Sequence, residues 1–258
     1  MSRIAAFVYG ALVYVLFLVT FLYAIGFVGS LVVPKSIDSG VGVLTLPALL
    51  IDALLLGLFA IQHSVMARPW FKRAWTRIVP EPIERSTYVL LASLCLIVLF
   101  WQWRPMTEVV WDVRNDTGYL VLSALFWLGW LTVLACTFLI SHFDLFGLKQ
   151  VTDHLRRVRY RPAPFATPLL YRLVRHPLYL GFLIAFWSTP RMTRGHLLFA
   201  LATTGYILIA IQFEEHDLVG YFGDTYRRYR ERTPMLIPFT KRAGGAARSR
   251  STASPRGA

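Results

Sequence analysis

Charged residues are scarce in this chain. Asp, Glu, Lys and Arg make up 16% of its 258 residues, against about 25% in an average soluble domain. The two cysteines, Cys95 and Cys136, lie in apolar runs and form no metal-ligand or redox spacing. A glycine-rich phosphate loop is also lacking, since SGVGV at 39–43 follows no strand signal. These absences argue against a soluble domain, a cysteine-based metal or redox site and a phosphate-binding loop.

Long uncharged segments are abundant instead. Residues 4–33 contain no Lys, Arg, Asp or Glu, and a membrane-spanning helix needs only about 20 apolar residues. The run is too long for a signal peptide and lacks a cleavage site. Further candidate spans follow at 42–66, 86–103, 117–141, 178–190 and 195–213. Because backbone groups in hydrocarbon must bond within their own segment and strand signals are absent, we predict an all-α, polytopic integral membrane protein with five to six membrane helices.

The fifth candidate span is too short to cross alone. Its roughly 13 residues would cover about 20 Å at the helical rise, whereas the hydrocarbon core is about 30 Å thick. The polar turn PRMTRG at 190–195 separates it from the sixth span. We therefore predict a C-terminal helical hairpin.

The basic residues are distributed unequally between the predicted loops. Of the 27 Lys and Arg residues, all but five fall on one side of the predicted spans; the exceptions are Lys35, Arg104, Arg114, Arg191 and Arg194. The positive-inside rule makes the richer side cytoplasmic and places both termini there. A bacterial inner membrane is the expected location. Topology and contact with anionic lipid explain the net charge of +13 without a nucleic-acid partner.

The composition divides the chain into three parts. Residues 1–141 form a predicted four-helix membrane region, and 142–239 contain the hairpin and an amphipathic helix. In that helix Leu218, Phe222, Tyr226 and Tyr229 recur at helical spacing between charged residues, which predicts a helix lying along the cytoplasmic interface. Residues 240–258 lack a hydrophobic pattern and are predicted to be a disordered basic tail.

Polar residues cluster at the cytoplasmic ends of the spans. A hairpin that leaves this face at Pro177 returns at Phe213, so Glu214 and Glu215 should lie near Arg175 and His176. Interfacial anchoring and a helix-end salt bridge are one explanation. The other is a functional pocket, because grouped ionisable residues at a membrane are costly. The N-terminus of the helix that starts at Pro177 would suit a carboxylate group. Glu214 and Glu215 would suit an ammonium group, and the nearby tyrosines would suit a sulfonium cation.

The segments RHPLYLGF and EEHDLVGYFGDTYRRYRERTPMLIPF resemble the C-terminal signature of the isoprenylcysteine carboxyl methyltransferase superfamily. Its members are membrane enzymes that use S-adenosylmethionine without a Rossmann domain. The resemblance implies that the same cofactor is bound by Arg175, His176, Pro177, Tyr179, Gly181, Glu214, Glu215, Tyr226 and Tyr229. It implies no metal.

Three upstream segments, YAIGFVGSLVVPKSIDSG, QHSVMARPWFK and SHFDLFGLKQV, resemble the bacterial branch that methylates methanethiol to dimethyl sulfide. With them the resemblance covers roughly residues 9–239. It implies a small thiol substrate, with hydrogen sulfide left open. A prenylcysteine carboxylate or a phospholipid amine is the alternative acceptor within the superfamily.

Methylation of a thiol requires loss of its proton, and a positioned base would help. His63 and His142 are the candidates, with Asp144 as orienting residue or alternative base. The alternative role for both histidines is a hydrogen bond to interfacial carbonyl groups. An alternative of another class is a haem protein, in which His63, His142 and His176 would supply ligands. The sequence leaves the oligomeric state open.

Overall fold

The computed structural model describes residues 1–42 and 44–240, so the tail predicted for 240–258 lies outside the described residues from 241 onward. In chain order the helices are α1 (Arg3–Gly29), α2 (Leu46–Ala67), α3 (Pro69–Trp75), α4 (Glu81–Gln102), α5 (Asp116–Ile140), α6 (His142–Leu145), α7 (Leu148–Leu155), α8 (Leu170–Leu173), α9 (Pro177–Trp187), α10 (Arg194–Phe222) and α11 (Asp224–Arg232). Helices α1, α2, α4, α5 and α10 are long and apolar enough to cross a membrane. The predicted all-α polytopic membrane fold is confirmed.

The first helix has one face that is exposed and one face that packs against the protein. Its exposed large residues recur every three or four positions: Val8, Leu12, Val15, Val19 and Leu22. Residues three or four apart share one face of a helix. Since this face is entirely apolar and unpacked, it suits contact with lipid, while the opposite face packs against α4 and α7.

The hairpin is confirmed, and it contains an element that the sequence did not predict. Helix α9 has 11 residues and is about 16 Å long; the extended segment 188–193 completes this arm. Within it, strand β2 (Arg191–Thr193) pairs antiparallel with strand β1 (Val109–Asp112). The backbone N–H groups of Arg194 and Gly195 donate to the carbonyl oxygens of Glu108 and Met106. Strands of four and three residues are too short to leave a sequence pattern.

Two glycines fix how the hairpin meets the rest of the bundle. A Cβ at Gly129 of α5 would lie 2.7 Å from the Gly181 oxygen, and a Cβ at Gly181 of α9 would lie 2.9 Å from the Gly129 oxygen. Small residues allow such close approach between membrane helices. The α5–α9 contact therefore joins the two predicted regions, 1–141 and 142–239.

The three predicted outer loops meet at one end of the bundle. Trp103 donates its indole N–H to the Ile37 oxygen at 3.1 Å, and the N–H of Thr107 donates to the Gly42 oxygen at 2.9 Å. Thr193 bonds the carboxylate of Asp38. The loops before α2, after α4 and before α10 thus lie together, as an even number of crossings requires.

The predicted amphipathic helix is divided. Helix α10 continues to Phe222, and α11 begins at Asp224. Gly223 between them has φ +55° and ψ −130°, a conformation that favours glycine. The amphipathic character is retained in α11, where Tyr226 is buried and Arg227 and Arg228 are exposed. The prediction of one continuous helix was wrong because the spacing pattern runs through the glycine.

Candidate functional site

A buried ion pair joins the two arms of the hairpin. Arg175 Nε lies 2.6 Å from Glu215 Oε1, and both side chains are less than a tenth exposed. Arg175 Nη1 also donates to the carbonyl oxygens of Arg230 and Thr233. The predicted proximity of the Arg-His-Pro turn to the glutamates is confirmed, and the arginine is held by the segment after α11 as well.

The segment after α11 also pairs with the turn through the backbone. Arg175 N–H donates to the Pro234 oxygen at 2.9 Å, and His176 N–H donates to the Met235 oxygen at 3.2 Å. These bonds satisfy the backbone just before α9, where Pro177 occupies the first helical turn and has no N–H to lose. No sequence pattern predicts this pairing, because residues 234–235 belong to no regular element.

The two adjacent glutamates differ in their surroundings. Glu215 contacts Arg175 and, at 3.0 Å, His176 Nε2. Glu214 has a half-exposed side chain whose nearest basic atom, His176 Nδ1, is 3.8 Å away. Its Oε2 is buried and has no hydrogen-bond partner in the described part of the chain. Glu215 therefore holds the turn together, whereas Glu214 retains bonding capacity.

Aromatic residues lie near the Glu214 carboxylate. The hydroxyl of Tyr179 lies beside Glu214, and its ring is 5.7 Å from the His176 ring. Tyr226 is buried, and its hydroxyl lacks a hydrogen-bond partner among the described residues. A carboxylate beside π faces is suited to a cation. Gly181, the remaining predicted residue of this group, instead faces α5 at Gly129.

Tyr226 and Tyr229 are covered by the preceding loop. The Phe165 ring lies 5.9 Å from the Tyr226 ring and 5.6 Å from the Tyr229 ring. Tyr229 donates its hydroxyl to the Tyr171 oxygen at 2.5 Å. Burial raises the pKa of Tyr229 to about 12, and it also raises the pKa of Tyr226. Both phenols stay neutral near pH 7 and remain hydrogen-bond donors.

An open cleft of about 510 Å³ lies between α10 and α11. Its walls include Glu215, His216, Arg227 and Arg230. The Glu215 side of the buried ion pair therefore faces this open cleft, and charged groups of both signs line the cleft.

His63 lies near the end of α2, on the side of the bundle that faces α4 and α10. Its ring nitrogens are each 2.9 Å from the Tyr88 hydroxyl, and Phe59 stacks on it. The next residue, Ser64, bonds Tyr206 of α10 at 3.3 Å. His63 is therefore bonded to α4, and the adjacent Ser64 is bonded to α10.

His142 lies on another side, between α1 and α5. Tyr14 bonds its Nε2 and Thr137 bonds its Nδ1, each at 2.8 Å. Phe138 stacks on the ring with centroids 4.2 Å apart. Burial lowers the pKa of His142, so the ring is neutral near pH 7. With both nitrogens engaged, it has little capacity for a further partner.

The expectation that Asp144 orients His142 was wrong. Asp144 Oδ1 accepts hydrogen bonds from Gln150 and Tyr160, both at 2.8 Å. The physical reason is spacing, since residues two apart on a helix do not face each other. Asp144 instead closes the loop that follows α7.

The structure separates the three histidines of the haem alternative. His63 bonds Tyr88, His142 bonds Tyr14 and Thr137, and His176 bonds Glu215. In residues 1–42 and 44–240, no group of three or more His, Cys, Asp or Glu residues could hold a metal ion. Tyr88, Tyr206 and Tyr171 were not predicted, because isolated tyrosines near membrane interfaces are common and carry no motif.

The chain is similar to several curated enzymes. It is 57% identical over 242 residues to the methanethiol S-methyltransferase of Mycobacterium tuberculosis (strain ATCC 25618 / H37Rv), covering 94% of this chain and 99% of the relative. Methanethiol S-methyltransferase 1 of Bradyrhizobium diazoefficiens is 55% identical over 239 residues, which are 93% of this chain and 84% of that protein. Nurim of Mus musculus is 31% identical over 176 residues, 65% of this chain and 66% of Nurim.

No family model and no solved structure matches the chain. The two methanethiol S-methyltransferases match more than nine tenths of this chain at more than half identity, and this extent includes both the hairpin and the upstream helices. The chain belongs to the methanethiol S-methyltransferase family.

Proposed function

We propose that this protein is a membrane methyltransferase that moves a methyl group from S-adenosylmethionine to a small thiol, converting methanethiol to dimethyl sulfide. The carrying observation is Glu214, a carboxylate with a buried unpartnered oxygen beside the Arg175–His176–Glu215 cluster. The names of the relatives support the thiol acceptor. A carboxylate oxygen without a partner suits a positively charged group of a ligand.

The residues present fit the proposed cofactor. S-Adenosylmethionine supplies a methyl group on a positively charged sulfonium sulfur and carries an ammonium and a carboxylate. Glu214 would bind the ammonium, and the N–H groups of Leu178 and Tyr179 at the start of α9 would meet the carboxylate. Tyr226 has a hydroxyl without a partner in the described ranges, and Tyr229 adds an aromatic face.

The other predicted cofactor residues would act by holding these groups in place. Arg175 and His176 fix Glu215, and Pro177 starts α9. Gly181 allows α9 to approach α5. A direct contact of these residues with the cofactor stays a prediction.

The thiol proton needs an acceptor, and His63 is the better supported candidate. The Tyr88 hydroxyl bonds the His63 ring, and Tyr206 of α10 bonds the adjacent Ser64. His142 and Asp144 each have their polar atoms engaged elsewhere. We therefore assign the base to His63, a role in which histidine typically contributes about 100-fold or more to the rate.

The charge distribution supports the location of the site. Most Lys and Arg residues lie at the end of the bundle that carries Arg175 and Glu214, so this end would be cytoplasmic, with both termini. The bacterial inner membrane would expose it to cytoplasmic S-adenosylmethionine. The division of the chain at 141 also stays a proposal, and the close α5–α9 contact argues for mutual dependence of the two parts.

Headspace gas analysis tests the activity. Purified full-length protein in lipid nanodiscs, given S-adenosylmethionine and methanethiol, should release dimethyl sulfide. No product above an empty-nanodisc control would contradict the thiol acceptor; methylated phosphatidylethanolamine or a methylated prenylcysteine would identify an alternative one. A coloured protein with a haem spectrum would overturn the enzymatic proposal.

Calorimetry with S-adenosylmethionine tests the cofactor site. Glu214→Gln should weaken binding about tenfold or more, because a hydrogen bond to a charged group contributes about 1.5–3 kcal/mol. The half-exposed position of Glu214 makes misfolding a small concern. Glu81→Gln, an exposed carboxylate at the start of α4, is the matched control. Equal affinity in both variants would remove Glu214 from the site.

A further inference from the structure

Residues 233–236, which we call the strap, hold the turn that precedes α9. Backbone oxygens of the strap accept the N–H groups of Arg175 and His176 at 2.9 and 3.2 Å, and another accepts a hydrogen bond from Arg175 Nη1 at 2.6 Å. Arg175 in turn pairs with Glu215, the neighbour of Glu214. The position of the strap therefore affects the geometry of the Arg175–Glu215 pair, next to the proposed ammonium site.

The strap ends beside the apolar part of the hairpin. Its last residue, Leu236, is 8% exposed and packs in one cluster with Ile207 and Ile211 of α10. These two isoleucines precede Glu214 by seven and three residues, which is about 10 and 5 Å along the helix. The strap thus begins at the level of the ion pair and ends beside apolar turns of a helix that is long enough to cross the membrane.

The residues that follow the strap are apolar and unpacked. Ile237 and Phe239 are 68% and 87% exposed. Pro238 between them has no N–H group, and Thr240 donates its hydroxyl to the Ile237 oxygen at 2.8 Å. Because backbone groups that face hydrocarbon must be satisfied by the protein itself, both features lower the cost of placing this segment against lipid.

The sequence after this apolar pair suits a negatively charged membrane surface. Residues 240–258 contain five Lys and Arg residues and no Asp or Glu. The proposed orientation puts this end of the bundle at the cytoplasmic leaflet, whose anionic headgroups attract basic segments close to a membrane helix. Apolar side chains next to basic residues are typical of segments that lie in a lipid interface.

We infer that Ile237 and Phe239 insert into the cytoplasmic leaflet, and that this lipid contact holds the strap against the Arg175–His176 turn, so that the affinity for S-adenosylmethionine depends on it. The dependence on the cofactor rests on the proposed function. A strap that is released part of the time leaves the turn competent in a smaller fraction of molecules. The apparent dissociation constant then rises by the inverse of that fraction.

Thiol labelling tests the lipid contact without the cofactor. Full-length protein in nanodiscs of phosphatidylcholine and phosphatidylglycerol is treated with a membrane-impermeant maleimide. Phe239→Cys should react at least about tenfold more slowly than Thr225→Cys, because apolar surroundings raise the pKa of a thiol and each unit is a factor of ten in thiolate. Thr225 is exposed on α11. Equal rates would overturn the lipid contact.

The native cysteines provide the baseline for this experiment. Cys136 is buried and Cys95 is half-buried, and both lie in helices that are long enough to cross the membrane. The labelling rate of the wild-type protein is therefore subtracted from the rate of each variant.

Calorimetry tests the coupling between the lipid contact and the site. In the same nanodiscs, the double variant Ile237→Ser/Phe239→Ser should bind S-adenosylmethionine about fivefold more weakly, with kcat at saturating cofactor unchanged. Both positions are exposed, so the fold should be retained. Ile78→Ser is the matched control, because Ile78 is 79% exposed in the loop after α3 and lies outside the hairpin and the strap. Wild-type affinity in the double variant, or an equal loss in Ile78→Ser, would overturn the coupling.

A variant of the strap itself tests whether the effect is transmitted through it. Leu236→Ala should weaken cofactor binding as the double variant does, and combining the two should cost no more than either alone, since both release the same segment. Additive losses would contradict transmission through the strap. If the wild-type protein bound no S-adenosylmethionine, the proposed function would fail, while the labelling rates would still decide the lipid contact.

Discussion

The molecule contains two tyrosine–histidine pairs at the same end of its bundle, and they have opposite surroundings. In the Tyr88–His63 pair, one hydroxyl faces both ring nitrogens, and the ring is half-buried beside Arg85. In the Tyr14–His142 pair, the second nitrogen is occupied by Thr137, and Phe138 and Phe146 contact the ring. The first ring therefore has one hydroxyl as its partner, whereas the second ring has two separate hydroxyls.

A position near the end of a membrane helix therefore does not distinguish the two histidines. Both histidines end membrane helices, both bond tyrosine, and both were equal candidates by sequence. What separates them is the count of hydrogen-bond partners, because a neutral imidazole offers only one donor and one acceptor. A ring with both satisfied contributes to stability, and one with a free acceptor can act as a base.

The largest expected effect is loss of turnover in His63→Phe. The substitution keeps the stack on Phe59 but removes the proposed proton acceptor, so kcat at pH 7 should fall about 100-fold or more. Binding of S-adenosylmethionine should be unchanged. Dimethyl sulfide release and calorimetry on the same preparation measure the two quantities. Turnover within about threefold of wild type would reject His63 as the base.

The same substitution in the other pair should affect stability rather than turnover. His142→Phe removes the ring partner of two hydroxyls. Thr137 keeps its hydrogen bond to the Leu134 oxygen, whereas the part-buried Tyr14 hydroxyl loses its partner, which costs about 1–3 kcal/mol. Thermal unfolding of the protein in detergent micelles, followed by circular dichroism, should show a lower midpoint. If folded His142→Phe lost turnover as His63→Phe does, the contrast between the pairs would be wrong.

The sequence predicted the parts of this fold that depend on hydropathy and connectivity. Long uncharged runs identify the spans. Because a hairpin must return to the face it left, the contact between Arg175 and Glu215 could be predicted from the sequence alone. The same reasoning could not distinguish Glu214 from Glu215. Consecutive residues point about 100° apart on a helix, and only the packing of α9 and α11 decides which one is buried.

The partners of the two histidines were beyond prediction for a similar reason. Tyr88 is 25 residues from His63 and Tyr14 is 128 residues from His142, so these contacts depend on which helices are neighbours. Hydropathy sets the number of spans and not their arrangement. Asp144 was a candidate because it lies at a span end predicted at the level of the cofactor, but its carboxylate bonds Gln150 and Tyr160 rather than His142.

Acid should weaken the contribution of His142 to stability. Burial lowers the pKa of the folded ring, while in the unfolded chain histidine takes up a proton near pH 6.5. Below that pH the unfolded state binds more protons, so stability falls as pH falls, by at most about 1.4 kcal/mol per pH unit for one group. The difference in melting midpoint between wild type and His142→Phe should therefore narrow from pH 7.5 to pH 5.5. A constant difference would contradict the neutral buried ring.

The smallest expected effect is that of Tyr14→Phe on stability. It removes one hydrogen bond to His142 and keeps the aromatic ring, whose edge contacts the histidine, so the free energy of unfolding should fall by about 0.5–1.5 kcal/mol.

In Tyr14→Phe, His142 regains a free nitrogen and comes to resemble His63 in its hydrogen bonding. If that were sufficient for catalysis, Tyr14→Phe would restore turnover to His63→Phe. We expect no restoration, because His142 contacts the ring cluster of Tyr14, Phe138 and Phe143, on another side of the bundle from His63. Dimethyl sulfide release from the double variant measures this, and recovered turnover would show that a free nitrogen matters more than its position.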